Sequence, residues 1–262
     1  MGTLTGQSVV VTGAGRGIGR AIALRLSAQG AHITALGRTQ GLLDELGSEI
    51  RARGGEALVI AADVTDLDAA TGAVARATER FGPVSILVNN AGIPGPYGPV
   101  DAVDPAQWWA AQAVNVLGPF NFMHAAVPSM RGRNAGRIIN IVSNAGLQPV
   151  PHLSAYAVSK NTLTRLTETV DLELRSVGVR AFALNPGNIT TDMARGTLAS
   201  PEARRWLGEG LAMIRDRSAA DSAADLQRCC DVVSSLAAGQ YDVLGGRYLD
   251  IRDDLESLAR GA

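Results

Sequence analysis

The sequence predicts an α/β fold, a doubly wound parallel sheet of about seven strands with helices on both faces. Short runs rich in Val, Ile and Leu alternate with longer stretches of helical periodicity. Such richness in Val, Ile and Leu is what strands buried on both faces should show. Strand–helix–strand repetition closes through right-handed crossovers, which makes neighbouring strands parallel.

The strands are expected over 8–11, 32–36, 57–61, 86–88, 137–142, 179–184 and 247–251. The helices are expected near 18–29, 40–53, 67–80, 105–130, 155–177 and 221–238. No linker, repeat or low-complexity tract divides the chain, so residues 1–262 are expected to form one domain. The stretch from about 190 to 218 has no clear place in the sheet. It is long, carries Gly196, Pro201, Gly208 and Gly210, and follows a late strand, as a substrate loop or lid does. Near the end, Asp253 or Asp254 could cap a short helix, with Leu255 and Leu258 on one face.

Composition excludes several classes. The 262 residues are 46% hydrophobic and 19% charged, with a formal charge of −1. That charge, with no Lys/Arg cluster, argues against a nucleic-acid partner, and the apolar content argues against disorder. No apolar run approaches the ~20 residues of a membrane span. The start, Met1-Gly2-Thr3-Leu4-Thr5-Gly6, lacks the charged and apolar segments of a secretory signal. Cys229 and Cys230 are adjacent in an apolar helical pattern. Read as buried thiols in a reducing compartment, they predict a cytoplasmic protein. His32, His124 and His152 are scattered without metal-ligand spacing, so no metal site is expected. The adjacent Trp108 and Trp109 cannot share one helix face; one is expected in the core and the other at an interface.

After the first strand comes Thr12-Gly13-Ala14-Gly15-Arg16-Gly17-Ile18-Gly19. Glycines here permit a tight strand-to-helix turn and close approach of the backbone to a pyrophosphate, with the helix N-terminus facing the phosphates. The spacing is G-x-x-x-G-x-G through Gly13, Gly17 and Gly19, with Gly15 extra. A plain turn would use glycine too, but this one sits where a Rossmann-type fold binds a dinucleotide. No lysine and Ser/Thr follow as in a nucleoside-triphosphate loop. Asp63, with Val64 beside it, follows the third strand and could accept a hydrogen bond from an adenine amino group, or simply cap a helix. Asn89-Asn90-Ala91-Gly92 ends the fourth strand and would line the same crevice. Its asparagines could bind a ribose or satisfy loose backbone groups.

Tyr156 and Lys160 stand four apart in a helical segment and so share a face. A free tyrosine, with a pKa of about 10, is a poor acid–base group near pH 7. A neighbouring ammonium would lower that value. Ser143 lies just past the fifth strand, where its hydroxyl could hold a substrate oxygen. Asn115, in an apolar helical run, needs a buried partner. No G-x-S-x-G surrounds Ser143, so a hydrolase elbow is not supported.

These motifs, in this order over residues 8–251, resemble the short-chain dehydrogenase/reductase family in its single-domain branch: TGAGRGIG, NNAG, the helix asparagine, Ser143 before Tyr156-x-x-x-Lys160, and Pro186-Gly187-Asn188-Ile189-Thr190-Thr191. The resemblance implies a ketoreductase or alcohol dehydrogenase with a nicotinamide cofactor in the crevice. It implies that Tyr156 exchanges a proton with the substrate oxygen and that Ser143 orients the carbonyl. Lys160 would bind the nicotinamide ribose and depress the Tyr156 pKa, and Asn115 would support a proton relay through water. The 186–191 stretch, with Pro186, Gly187, Ile189 and Thr191, would hold the nicotinamide carboxamide.

The second strand ends Leu36-Gly37-Arg38-Thr39, without the carboxylate that binds the 2′-hydroxyl of NAD. Gly37 leaves room for a 2′-phosphate, Arg38 could pair with it, and Thr39 and Arg16 could assist. NADP(H) is therefore expected, with NAD(H) as the alternative. The expected substrate walls are 93–97, 144–146, 148–153, Asn188 and 193–215. They are mostly apolar, which favours a ketone or alcohol of low charge. Alternatives are an NAD-dependent alcohol dehydrogenase of the same family, a dehydratase or epimerase, and a non-enzymatic dinucleotide-binding protein. The family resemblance also implies a homodimer or homotetramer paired through the helices that carry Asn115 and Tyr156. Ala110, Ala111, Ala113, Ala125 and Ala126 would permit close packing there.

Overall fold

The computed structural model describes residues 2–262. Seven parallel strands form one sheet in the order β3-β2-β1-β4-β5-β6-β7. They are β1 (Ser8–Thr12), β2 (His32–Gly37), β3 (Ala57–Ala61), β4 (Val84–Asn89), β5 (Gly136–Ile141), β6 (Val179–Asn185) and β7 (Tyr248–Asp250). Alternate strand residues face opposite layers. Val9 and Val11 pack in a core with α1 (Gly17–Ala28), α2 (Gln40–Ala52) and α10 (Ala219–Ala237). Val10 packs in a second core with α3 (Leu67–Phe81), α5 (Gly118–Gly132) and α6 (Ser154–Leu174). The strand order reverses between β1 and β4, which opens a crevice at the carboxyl ends of those strands.

The expected elements form, with four informative differences. First, β4 begins at Val84 and runs to Asn89, two residues earlier and one later than expected. Its polar end is tolerated inside the sheet because Asn89 Nδ2 donates to Asn140 Oδ1 at 2.8 Å, and Asn140 Nδ2 donates to Thr167 Oγ1 at 2.9 Å.

Second, the helix expected over 105–130 is three pieces: α4 (Pro105–Gln112), a π-helical turn at Ala113–Leu117, and α5. Asp104 caps α4 by accepting from Ala106 N, and Pro105 sits in the first turn where no N–H is needed. The π turn inserts one residue and turns Asn115 inward.

Third, the stretch expected as a substrate loop or lid, with no place in the sheet, holds short helices: α7 (Asp192–Ala199), α8 (Pro201–Leu207), a 3-10 turn at Gly208–Leu211 and α9 (Ala212–Arg215). Thr191 caps α7 and Ser200 caps α8, so local hydroxyls satisfy the N–H groups that a loop would leave open.

Fourth, β7 covers only Tyr248–Asp250, and Asp250 N donates to Asp253 Oδ2 at 2.7 Å just beyond it. The terminal helix α11 (Leu255–Arg260) is capped by Asp254, whose Oδ1 accepts from Ser257 N at 3.0 Å. Leu255 is buried and Leu258 packs against the α1/α10 core.

Cys229 and Cys230 are free, buried thiols, and burial pushes both above the usual thiol range, Cys230 to about 11. Trp108 is half-buried and donates from Nε1 to Ser154 Oγ at 3.1 Å, whereas Trp109 is 67% exposed. Among the described residues no helix is long and apolar enough to cross a membrane.

Candidate active site

The glycine turn is built by close contacts that leave no room for a side chain at Gly13 and Gly19. Gly13 has φ +65°, and a Cβ there would sit 2.9 Å from Ala91 Cα. A Cβ on Gly19 would come within 2.4 Å of the Asn90 amide nitrogen and of the Gly13 carbonyl oxygen. The Asn90 side chain holds this arrangement, with Nδ2 donating to Thr12 O at 3.0 Å and Gly13 O at 3.2 Å. Of the two roles open to it from sequence, the Asn90 amide fills the second: it satisfies backbone groups. Thr12 Oγ1 accepts from the N–H groups of Asn90 and Ala91 at 3.0 and 3.1 Å.

No side chain caps the N-terminus of α1, which Arg16 precedes. Its N–H groups and positive dipole end open on a crevice of about 280 Å³. A backbone cradle that excludes Cβ atoms, ending at an uncapped helix N-terminus, fits a dinucleotide pyrophosphate.

The crevice brings together most of the expected cofactor residues. Gly13, Gly15, Arg16, Gly17 and Ile18 line it from the turn, Arg38 and Thr39 from the end of β2, Asp63 and Val64 from beyond β3, and Asn90, Ala91 and Gly92 from beyond β4. Tyr156, Lys160, Pro186 and Thr191 complete the far end. Gly19 packs behind the turn, while Gly187 and Ile189 face a second, adjoining cavity.

Asp63 spends Oδ1 on Thr65, accepting from its N at 2.9 Å and its Oγ1 at 2.8 Å. These bonds, the backbone N–H foremost, hold its carboxyl below the usual value, with a smaller contribution from Arg38. Oδ2 has no partner among the described residues. Arg38 itself is exposed and makes no hydrogen bond or ion pair with any described residue. Arg16 lies 3.7 Å from Asp192 on α7, in an exposed pair.

At the far end, Lys160 is 4% exposed and has no carboxylate partner. Its Nζ donates to Ile141 O at 2.8 Å and stands 5.7 Å from the centroid of the Tyr156 ring. Burial lowers its pKa to about 8. The Tyr156 hydroxyl goes the other way. Burial raises its pKa above 10, opposed by the Ser143 hydroxyl, and the Tyr97 phenol adds to the rise. The expected lowering by Lys160 is thus corrected. The ammonium lies over the ring and is spent on a main-chain carbonyl, so desolvation dominates the phenol.

Asn115 lies buried behind this pair. Its Oδ1 accepts from Ile93 N at 2.9 Å, and Nδ2 donates to Ile93 O and to Ser159 Oγ, both at 2.9 Å. It therefore fixes the chain after Gly92 and ties the π turn to α6.

The second cavity, about 690 Å³, adjoins the crevice. Tyr156 lies on the wall common to both, and Ser143 faces the second beside it. The expected walls at 148–153 and Asn188 are present, as is much of 193–215; Gly146 is buried and does not line it. Two features escape the sequence. Tyr97 and Thr197 hydroxyls meet at 2.7 Å, joining the loop after β4 to α7. Arg217, just before α10, is the only Asp, Glu, Lys or Arg in the lining among the described residues. Neither has a local pattern; both depend on how 192–217 folds back over the cavity.

Comparison with known proteins agrees with this geometry. The family model for short chain dehydrogenases matches residues 7–201. A short chain dehydrogenase of Pseudocercospora fijiensis is 33% identical over 268 residues, covering all of this chain and 85% of the relative. The crystal structure of an NAD+-bound xylitol dehydrogenase is 30% identical and aligns with a TM-score of 0.83 over 95% of this chain and 98% of its own. A variant of actinorhodin polyketide ketoreductase with NADPH is 29% identical, with a TM-score of 0.84 over 95% and 97%. With the motifs, the seven-stranded Rossmann-type sheet and these relatives in agreement, the chain belongs to the short-chain dehydrogenase/reductase family of oxidoreductases.

Proposed function

We propose that the protein transfers a hydride between NADP(H) and a carbonyl/secondary alcohol substrate of low charge. The observation that carries this is the place of Tyr156: one phenol on the wall between a glycine-cradled crevice and an apolar cavity, with Ser143 beside it. NADPH, when bound, supplies the hydride that reduces the carbonyl carbon. Tyr156 gives the carbonyl oxygen its proton, and Ser143 holds that oxygen by hydrogen bond as negative charge develops on it. Lys160, hydrogen-bonded to the backbone at the end of β5, would bind the nicotinamide ribose and recharge Tyr156, with Asn115 supporting the relay. Pro186, Gly187, Ile189 and Thr191 would enclose the carboxamide end.

NADP(H) is favoured over NAD(H) by Arg38. It is exposed at the crevice without a carboxylate partner, next to Gly37 and Thr39, and suits a 2′-phosphate. Asp44, the first carboxylate after β2, lies within α2 and accepts from Gln40 at 2.8 Å. The solved relatives include both an NAD+ and an NADPH complex. The NAD-dependent alternative is decided by comparing both cofactors in wild type and Arg38→Ala. A non-enzymatic role would leave the Tyr156, Ser143 and Lys160 constellation without use. Oxidation of NADPH at 340 nm across a ketone panel tests that reading.

The chain reads as one domain over 1–262, with 190–218 as a cover on the substrate cavity. A cytoplasmic location agrees with its two free buried thiols. A homodimer or homotetramer is supported by Trp109, Leu117, Phe120 and Val158, exposed along α4, the π turn, α5 and α6. Ala111 and Ala126, expected from sequence to pack between subunits, are instead buried in this chain's own core.

A further inference from the structure

Asp225 lies in the middle of α10, fully buried, yet three guanidinium groups reach it. Arg228 Nη1 donates to Oδ1 at 3.2 Å from the next turn of the same helix. Arg252 Nη2 stands 3.5 Å from Oδ2, from the segment beyond β7. Arg217, at the end of the cover, donates from Nη2 to the same Oδ2. That oxygen also accepts the backbone N–H of Asn188 at 3.1 Å. One turn earlier, Ser222 Oγ accepts the N–H of Thr190 at 2.9 Å.

The 186–191 loop has no ladder of its own between β6 and α7, so α10 side chains satisfy two of its N–H groups, those of Asn188 and Thr190. The loop is also seated tightly. Gly187 has φ +79°, and a Cβ there would lie 2.4 Å from Ile251 Cδ1 and 3.0 Å from Asp225 Oδ2.

The geometry points to Asp225 as a positioning residue that holds the 186–191 loop and the end of the 192–217 cover on one carboxylate oxygen. It touches neither the crevice nor the cavity. It acts through Asn188 and Arg217, both of which line the cavity.

The two tethers differ in consequence. A buried carboxylate must keep a cationic or hydrogen-bonding partner. With three arginines on one carboxylate, Arg217 can let go while Arg228 and Arg252 still neutralise Asp225. The cover can then open without freeing the loop. Loss of the carboxylate instead loosens loop and cover together and leaves three arginines without their shared partner.

This inference rests on the reading of the crevice as a dinucleotide site, and the test separates the two. Asp225→Asn keeps the volume and an acceptor but removes the charge. Wild type and variant are compared for affinity to NADPH, NADH and 2′-phospho-ADP-ribose, which lacks the nicotinamide. Hydrogen exchange is followed in 186–191, in 211–217 and in the strands. In the variant, NADPH affinity should fall at least about tenfold while 2′-phospho-ADP-ribose stays within about twofold. Exchange should quicken in 186–191 and 211–217 and not in β1, β4 or β5. Arg217→Gln should quicken 211–217 alone, with NADPH affinity within about twofold of wild type.

Ser222→Ala, which removes only the Thr190 acceptor, provides an independent handle should the Asn variant fail to fold. It should loosen 190–191 and leave 211–217 as in wild type. Unchanged exchange in the loop, or equal acceleration throughout the sheet, overturns the positioning role. Wild type that binds neither dinucleotide overturns the proposed function, while the exchange pattern still decides the tether.

Discussion

Lys160 Nζ stands 5.7 Å from the centre of the Tyr156 ring and donates its hydrogen bond to the Ile141 carbonyl rather than to the phenol. The i, i+4 spacing places both on one face of α6, and the end of β5 captures the ammonium. A charge so placed lacks a carboxylate and is nearly out of water, so it weakens the fold at neutral pH.

That cost is measurable. At pH 7 Lys160 is protonated in both folded and unfolded states, and its burial penalty is fully present. Its folded pKa of about 8 lies below the ordinary lysine value of 10.5. Between those values the folded state binds fewer protons than the unfolded one, so stability rises with pH. Lys160→Met should therefore stabilise the protein at pH 7, by up to about 3 kcal/mol, while abolishing turnover. The advantage should shrink between pH 8 and 10.5 in urea denaturation. A Met variant less stable than wild type at pH 7 contradicts this view of the charge.

Cofactor choice turns on Arg38. Arg38→Ala should lower kcat/KM for NADPH by about 10- to 100-fold, as expected for loss of a charge-assisted pair, and leave NADH within about threefold. The ratio of the two cofactors in wild type and variant checks this. Wild type that favours NADH, or a ratio unmoved by the substitution, refutes the assignment to NADP(H).

Self-association should depend on the exposed apolar positions of α4 and α5. Light scattering should give a dimer or tetramer of the 27.2 kDa chain. Trp109→Glu with Phe120→Glu should shift it toward monomer, because a charge would have to be desolvated at the interface. A wild-type monomer at high micromolar concentration rules out the proposed pairing.

Much of this molecule was legible from local pattern. The runs at 8–11, 32–36 and 57–61 are rich in Val, Ile, Leu and Ala, and β1 and the middle of β2 are buried on both faces. The composition therefore reads directly as buried strand, while the edge strand β3 is only partly covered. Tyr156 and Lys160 were legible because helical spacing alone puts them together. Other features depend on contacts far apart in the chain. The π turn at Asn115 interrupts an apolar run that reads as continuous helix, and its cause is the pairing with Ile93 and Ser159, 22 and 44 residues away. The direction of the Tyr156 pKa was missed because burial is a tertiary quantity. Asp225 has no local signature, because two of the three arginines that meet on it come from outside its helix, before α10 and beyond β7.

Hydride transfer with Tyr156 as the proton donor is tested most directly by isotope. The protein is incubated with a ketone panel and NADPH deuterated at the transferring C4 position, and the alcohols are weighed by mass spectrometry. Wild type should yield an alcohol one mass unit heavier, with one NADPH oxidised per alcohol formed. Tyr156→Phe should bind NADPH as wild type does but turn over about 10²- to 10⁴-fold more slowly. Label that never reaches the alcohol, or a Phe variant that keeps more than about a tenth of the rate, contradicts the mechanism.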